Sequence, residues 1–174
     1  MRRLVLALLV AGGGAAKVIW WPAAEPPTHR VSQEVFPHEA HVRRIIDGDT
    51  VQLEDGQLLR YIGIDTPESR RRRGNHWITD PQPFAREATE INRRLVEGRT
   101  VRLEQDVQPR DRYGRWLAYV YVTGSDGAEL MVNEELVRQG VAQPMTIPPN
   151  VKFAETFRAL AAEARQAKRG LWSD

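Results

Sequence analysis

Cysteine is absent from the whole chain. That excludes disulfides, thiolate nucleophiles and thiolate-bound zinc. Histidine is scarce, with four in all. His29, His38 and His41 fall in or beside a proline-rich stretch and read as solvated rather than as a metal site. Lysine occurs only at 17, 152 and 168, so the positive charge is almost entirely arginine. An excess of one charge is missing too. Setting aside Arg2, Arg3 and Lys17 leaves 22 basic against 23 acidic residues. Bulk charge therefore gives no argument for a polyanionic partner, and any such argument rests on where the arginines sit. Internal repeats are also lacking.

One long apolar run is present, from Leu4 to Ala16, preceded by Arg2 and Arg3. A charged start followed by a short apolar stretch is the layout of a secretory signal, with Gly14 and Ala16 as small residues near a cleavage point. The second reading is an uncleaved membrane anchor over residues 4–21, with Trp20 and Trp21 at the interface. Either places the protein outside the cytoplasm, secreted, periplasmic or anchored. Residues 22–38 carry four prolines and read as a linker. The folded domain is expected over 39–174, long enough to bury a core without staples.

Within that domain, Val42 to Ile46, Thr50 to Leu53, Leu58 to Ile64, Thr100 to Glu104 and Leu117 to Val122 read as strands. Asp55-Gly56 turns the second into the third. Residues 68–82, with arginine at 70, 71, 72 and 73, lack an apolar period and read as a long loop. The arginine run either holds a phosphate backbone or is merely solvated. Phe84, Ala88, Ile91 and Leu95 mark one face of a helix starting near Asp80-Pro81 and stopped by Gly98. Leu130 to Gln139 reads as a short helix closed by Gly140. Phe153, Phe157, Leu160, Ala161 and Ala164 stripe a last helix, with Leu171 and Trp172 plugging the core beyond Gly170. The pattern predicts an α+β, mainly β fold: a five-stranded OB-fold barrel with three packed helices. Other small α+β barrels fit nearly as well.

The stretch Ile46 to Glu68 carries the chemistry. A hairpin brings its ends together, so Asp47 and Asp49 should meet Asp65 and Glu68. Asp49, Asp65 and Glu68 within reach of one point call for a cation, and an all-oxygen donor set points to Ca²⁺ or Mg²⁺. Singly, each aspartate also reads as a turn or cap residue. Arg60 and Arg115 offer planar, bidentate grips on phosphate; the alternative is a pair of structural ion pairs. Tyr113 either donates to a phosphate or packs. Arg60 and Asp65 are five apart and face opposite sides of a straight strand, so a bulge or the turn at Gly63 must re-aim one of them. A hard ion, two arginines and the spare carboxylate of Glu68 make a phosphodiester-cleaving set. The ion polarises the phosphoryl oxygen, the arginines take up growing charge and Glu68 activates water.

Four segments resemble the staphylococcal nuclease (thermonuclease) family: I-D-G-D-T-V-Q-L at 46–53, L-R-Y-I-G-I-D-T-P-E at 59–68, D-R-Y-G-R-W-L-A-Y-V-Y at 111–121 and M-V-N-E-E-L-V-R-Q-G-V-A at 131–142. The resemblance implies the barrel with three helices, and Ca²⁺-dependent hydrolysis of DNA or RNA to 3′-phosphate and 5′-hydroxyl ends by a monomer. It implies that Asp49 and Asp65 ligate the ion through carboxylates and Thr66 through its carbonyl. Glu68 would be the general base, and Arg60 and Arg115 the catalytic phosphate clamp. Arg112 and Tyr113 would bind substrate, Asp47 would stand behind the ligands, and Asn133 would be buried and structural. The chain departs from the pattern at 143–149, where Gln-Pro-Met-Thr-Ile-Pro-Pro replaces base-stacking tyrosines. A weaker hold on the base, or a different substrate preference, is expected there.

Overall fold

The computed structural model describes residues 35–68, 70–73 and 76–173. The expected signal or anchor over 1–21, and most of the 22–38 linker, lie outside them. Five strands close a barrel: β1 (Glu39–Ile45), β2 (Thr50–Leu53), β3 (Leu58–Tyr61) and two later strands given below. Next come β4 (Ile64–Asp65), β5 (Arg70–Arg73), β6 (His76–Thr79), α1 (Ala85–Val96), β7 (Thr100–Glu104) and β8 (Trp116–Thr123). The chain ends with β9 (Glu129–Met131), α2 (Val132–Arg138), β10 (Gln143–Pro144), α3 (Ala154–Gln166) and a 3₁₀ turn at Gly170–Trp172.

Strand order in the main sheet is β3-β2-β1-β7-β8-β9, and β3 also pairs with β8 in parallel, which closes the ring. Closure leaves no free edge among the five barrel strands. Alternation along the strands sends Val42, Val51, Leu53, Leu59, Tyr61, Leu103, Ala118 and Val120 inward, all buried. Burying one such aliphatic side chain contributes about 1.5–3 kcal/mol. Asn133 of α2 is a polar residue buried against this core. Its amide donates to the Ile62 carbonyl at 2.9 Å, and its oxygen accepts from the Val120 amide at 2.9 Å. That bond pair ties α2 to the β3–β8 closure, as the resemblance implied.

Gly63 decides where β3 ends. Its φ is +80°, and a β-carbon there would sit 2.5 Å from the Phe157 ring of α3. The expected single strand Leu58 to Ile64 is therefore broken at Ile62-Gly63 into β3 and β4. We expect Gly63→Ala to lose about 2–4 kcal/mol, from left-handed backbone strain and overpacking together. Urea unfolding checks this; a loss within 0.5 kcal/mol, roughly the scatter of a neutral surface change, would contradict it.

Other expectations need correction. Residues 68–82 are not a structureless loop: β5 and β6 pair antiparallel, Arg70 opposite Thr79 and Arg73 opposite His76. The first helix begins at Ala85, not at Asp80-Pro81, and Phe84 sits outside it with φ +66°. Pro83 biases Gln82 away from the helical region, and Gln82 is committed to Glu68 instead. Glu129–Met131 pairs with β8, so α2 starts two residues later than expected. Phe36, in the compact unit Val35–Asp174, is buried edge-on against Trp116 at 5.5 Å. Leu171 and Trp172 do not plug the core. They are half-buried, with the Leu171 amide bonded to the Gly140 carbonyl and Arg165 stacked on Trp172 at 4.3 Å.

Candidate active site

A cleft of about 610 Å³ opens between the β3–β4 turn, the 108–115 loop and the 145–150 loop. Arg60, Asp65, Glu68, Arg112, Tyr113 and Arg115 all line it. Residues from two distant stretches of chain thus meet on one surface. The parallel pairing of β3 with β8 does this, because Arg60 stands opposite Leu117 just past Arg115.

Arg60 is the centre. Its Nη1 lies 2.5 Å from Asp49 Oδ1 and its Nη2 2.7 Å from Asp65 Oδ1. The break at Gly63 lets Asp65 meet Arg60 from the same side, which solves the parity problem of a straight strand. Asp49 is buried and fully engaged. Its Oδ1 also accepts from Thr50 Oγ1 at 3.0 Å, and its Oδ2 accepts the Thr66 amide at 3.0 Å. Asp47 forms a turn, its Oδ1 accepting the Asp49 amide at 3.1 Å. Gly48 between them packs so tightly that a β-carbon would fall 2.6 Å from Thr66 Oγ1.

Expectation and structure differ on the carboxylates. Asp49, Asp65 and Glu68 do not form a ready cage. Among the described residues, no three His, Asp or Glu side chains gather in a cation-holding group. Arg60 pairs with one oxygen of Asp49 and one oxygen of Asp65. The acids nonetheless feel one another. Burial pushes Asp49 up to about 7, with Arg60 pulling it back down and Asp47 pushing it up again. Burial also raises Asp47, against the Asp49 amide that lowers it, and Glu68 adds repulsion. Glu68 is raised by burial and by the charge of Asp49, while Arg60 and Arg115 pull it back. One guanidinium does not neutralise four acids.

The Asp111–Arg115 turn is built around one carboxylate. Asp111 Oδ1 accepts the amides of Tyr113 and Arg115 at 2.9 and 3.0 Å, and Oδ2 holds Arg115 Nε at 2.7 Å. The Arg115 side chain, held at Nε, lines the cleft. Tyr113 is 68% exposed and receives a hydrogen bond from Arg112 Nη2 at 2.7 Å. The third wall, Met145, Ile147 and Pro148, is aliphatic.

Sequence reasoning missed two residues. Gln82 Oε1 accepts the Glu68 amide at 2.8 Å, and the Gln82 amide donates back to the Glu68 carbonyl at 3.0 Å. This pair closes the base of the β5–β6 hairpin and fixes the backbone at Glu68. Nothing in its local sequence marks Gln82. Asn92 of α1 accepts from the Tyr61 hydroxyl at 2.8 Å and donates to the Asp47 carbonyl at 3.1 Å. A polar residue on the apolar stripe of α1 was the available signal for it.

Barrel and cleft together define a small OB-type barrel protein that presents arginines and carboxylates on one cleft. The chain matches the family described as staphylococcal nuclease homologue over residues 58–174. It is 40% identical over 136 residues to the thermonuclease of Staphylococcus hyicus, covering 76% of this chain and 75% of that protein. It is 34% identical over 149 residues to the thermonuclease of Staphylococcus intermedius, covering 84% and 83%. Endonuclease YncB of Bacillus subtilis (strain 168) is 37% identical over 135 residues, covering 75% of this chain and 59% of its own. The chain therefore belongs to the staphylococcal nuclease family.

Proposed function

We propose that this protein is an exported nuclease that hydrolyses phosphodiester bonds of DNA or RNA with Ca²⁺, leaving 3′-phosphate and 5′-hydroxyl ends. The observation that carries the reading is the meeting of Arg60, Glu68 and Arg115 on one cleft. The family relatives bear nuclease names, and a pure binding module has no need of that full set.

The residues fit a hard divalent cation. Asp49 and Asp65 with the Thr66 carbonyl would hold it, an all-oxygen set suited to Ca²⁺. Asp49 is a buried carboxylate whose ionisation is costly without more positive charge than Arg60 supplies. When bound, such an ion neutralises phosphate charge and acts as a Lewis acid. Arg60 and Arg115 grip the phosphate oxygens and favour the charge-rich transition state. Glu68, its carboxyl raised by burial and by the charge of Asp49, takes the proton of the attacking water. The water oxygen bonds to phosphorus, the bond to the 5′ oxygen breaks, and that departing oxygen, hydrogen-bonded by Arg115, takes a proton from solvent water to become the hydroxyl, while Glu68 later returns its proton to solvent. Arg112 and Tyr113 hold a flanking phosphate. The aliphatic wall of Met145, Ile147 and Pro148 gives the base contact without stacking.

The test is digestion of single-stranded DNA and RNA with calcium and with chelator, with the ends mapped by labelling. Calcium-dependent 3′-phosphate ends are expected; 5′-phosphate ends or chelator-resistant cleavage would contradict the reading.

The acids also set a pH dependence. The folded pKa of Asp49 lies above its unfolded value, so the folded state binds the extra proton. Its contribution to stability is complete below about pH 4. It is lost as pH rises through about 7. Calcium needs the ionised form and so opposes that loss. We expect the rise in Tm on adding calcium to be larger at pH 8 than at pH 5, with a slope up to about 1.4 kcal/mol per pH unit for one proton. Thermal scans at both pH values check this; an equal rise at both would contradict it.

A further inference from the structure

Arg110 lies outside the cleft yet touches both elements that carry its arginines. Its guanidinium lies over the Trp116 ring, 3.5 Å from the centroid. One nitrogen donates to the Gly114 carbonyl inside the turn that bears Tyr113 and Arg115. Its Nη2 donates to Gln57 Oε1 at 2.7 Å, at the foot of the hairpin whose return strand carries Arg60. Gln57 is itself oriented. Its amide and its Nε2 both donate to Asp55, at 2.9 and 3.0 Å, which leaves Oε1 turned to Arg110. Trp116 beneath is buried and pairs with Leu59, next to Arg60. The parallel β3–β8 seam has only three paired positions, Leu59 to Tyr61 against Trp116 to Ala118. Arg110 bridges the open end of that seam.

Asp111 shapes the turn internally: among the described residues its carboxylate bonds run to Tyr113 and Arg115, within the turn itself. The internal shape of the turn and its placement against Arg60 are thus separate matters. We infer that Arg110 is a positioning residue that sets the spacing of Arg115 from Arg60 through the chain Gly114, Arg110, Gln57 and Asp55. The inference rests on the nuclease reading of the cleft. A planar, stacked guanidinium donating in two directions suits the task; a lysine offers a point charge and cannot stack flat. Two phosphate-gripping groups need a fixed spacing because misplacement by 1 Å can cost about 100-fold in rate.

The test compares Arg110→Ala, Arg110→Lys, Arg115→Ala and the Arg110→Ala/Arg115→Ala double variant, each for kcat, KM and Tm. Arg110→Ala should lower kcat about 10- to 100-fold with KM changed far less. In the Arg115→Ala background it should add less than about threefold, since residues acting as a unit are not additive. Arg110→Lys should stay close to Arg110→Ala. Nitrogen-15 NMR supplies a readout apart from activity: the Arg115 Nε–H signal, held by Asp111, should broaden in Arg110→Ala while the remaining dispersion is kept. Should Arg110→Ala fail to fold, Gln57→Ala tests the same chain and should lower kcat about threefold, on the scale of one lost positioning hydrogen bond. A wild-type kcat in Arg110→Lys, or the full Arg110→Ala factor recurring without Arg115, overturns the inference. Wild-type cleavage by Arg115→Ala protein overturns instead the reading of the cleft.

Discussion

Glu68→Gln protein is expected to cleave about 10²- to 10⁴-fold more slowly than wild type, the usual contribution of a positioned general base. KM should change little, because the role proposed for Glu68 is on water rather than on the phosphate. Folding should not suffer. The side chain is exposed at the cleft mouth, and the bonds that fix its position run through its backbone to Gln82. Removing its charge also relieves the repulsion it shares with Asp47 and Asp49, so stability should stay level or rise slightly. Steady-state cleavage with a urea titration separates the two effects. A Glu68→Gln enzyme within threefold of wild type would remove the general base from the account.

Arg60→Ala should damage both activity and stability. Loss of one preorganised donor to the phosphate costs about 10²–10³ in kcat. The stability loss comes from Asp49, whose side chain is 2% exposed and whose ion-pair partner among the described residues is Arg60. Leaving a buried charge unpaired costs about 3–5 kcal/mol. Asp65, half exposed, adds little. The sign with pH follows. Arg60 pulls the Asp49 pKa down, so its removal lifts that pKa further above the unfolded value. Asp49 can then escape the penalty by taking a proton at low pH, and cannot at high pH. The destabilisation should therefore be larger at pH 8 than at pH 5, and calcium should recover part of it. Urea unfolding at both pH values measures this. A pH-independent loss would mean that Arg60 acts through packing alone.

The residues of this site were legible in the sequence; their mutual arrangement was only partly so. Asp49, Arg60, Asp65 and Glu68 sit close together in the chain around a recognisable hairpin, and Arg115 follows a turn with its own signature. What the pattern did not show is that Arg60 pairs with both Asp49 and Asp65. A list of acids at a hairpin mouth does not say which oxygens are already taken. The parity of Arg60 and Asp65 announced that a bulge or the turn at Gly63 must re-aim one of them, and the left-handed Gly63 breaks the strand there. The β5–β6 hairpin was hidden, since an arginine run carries no apolar alternation to reveal a strand. The start of α1 was misplaced because Phe84 continues the helical spacing in sequence while its backbone is left-handed in space. Gln82 and Arg110 act through contacts between segments 14 and 53 residues apart. No local pattern encodes those.

The account stands most directly on where a phosphate binds. A crystal structure with calcium and a cleavage-resistant phosphorothioate dinucleotide measures it. The predicted result is a single phosphate with oxygens about 3 Å from the guanidinium nitrogens of both Arg60 and Arg115, and Glu68 facing the side opposite the 5′ oxygen. A phosphate seated elsewhere on the barrel, or held by only one of those arginines, would contradict it.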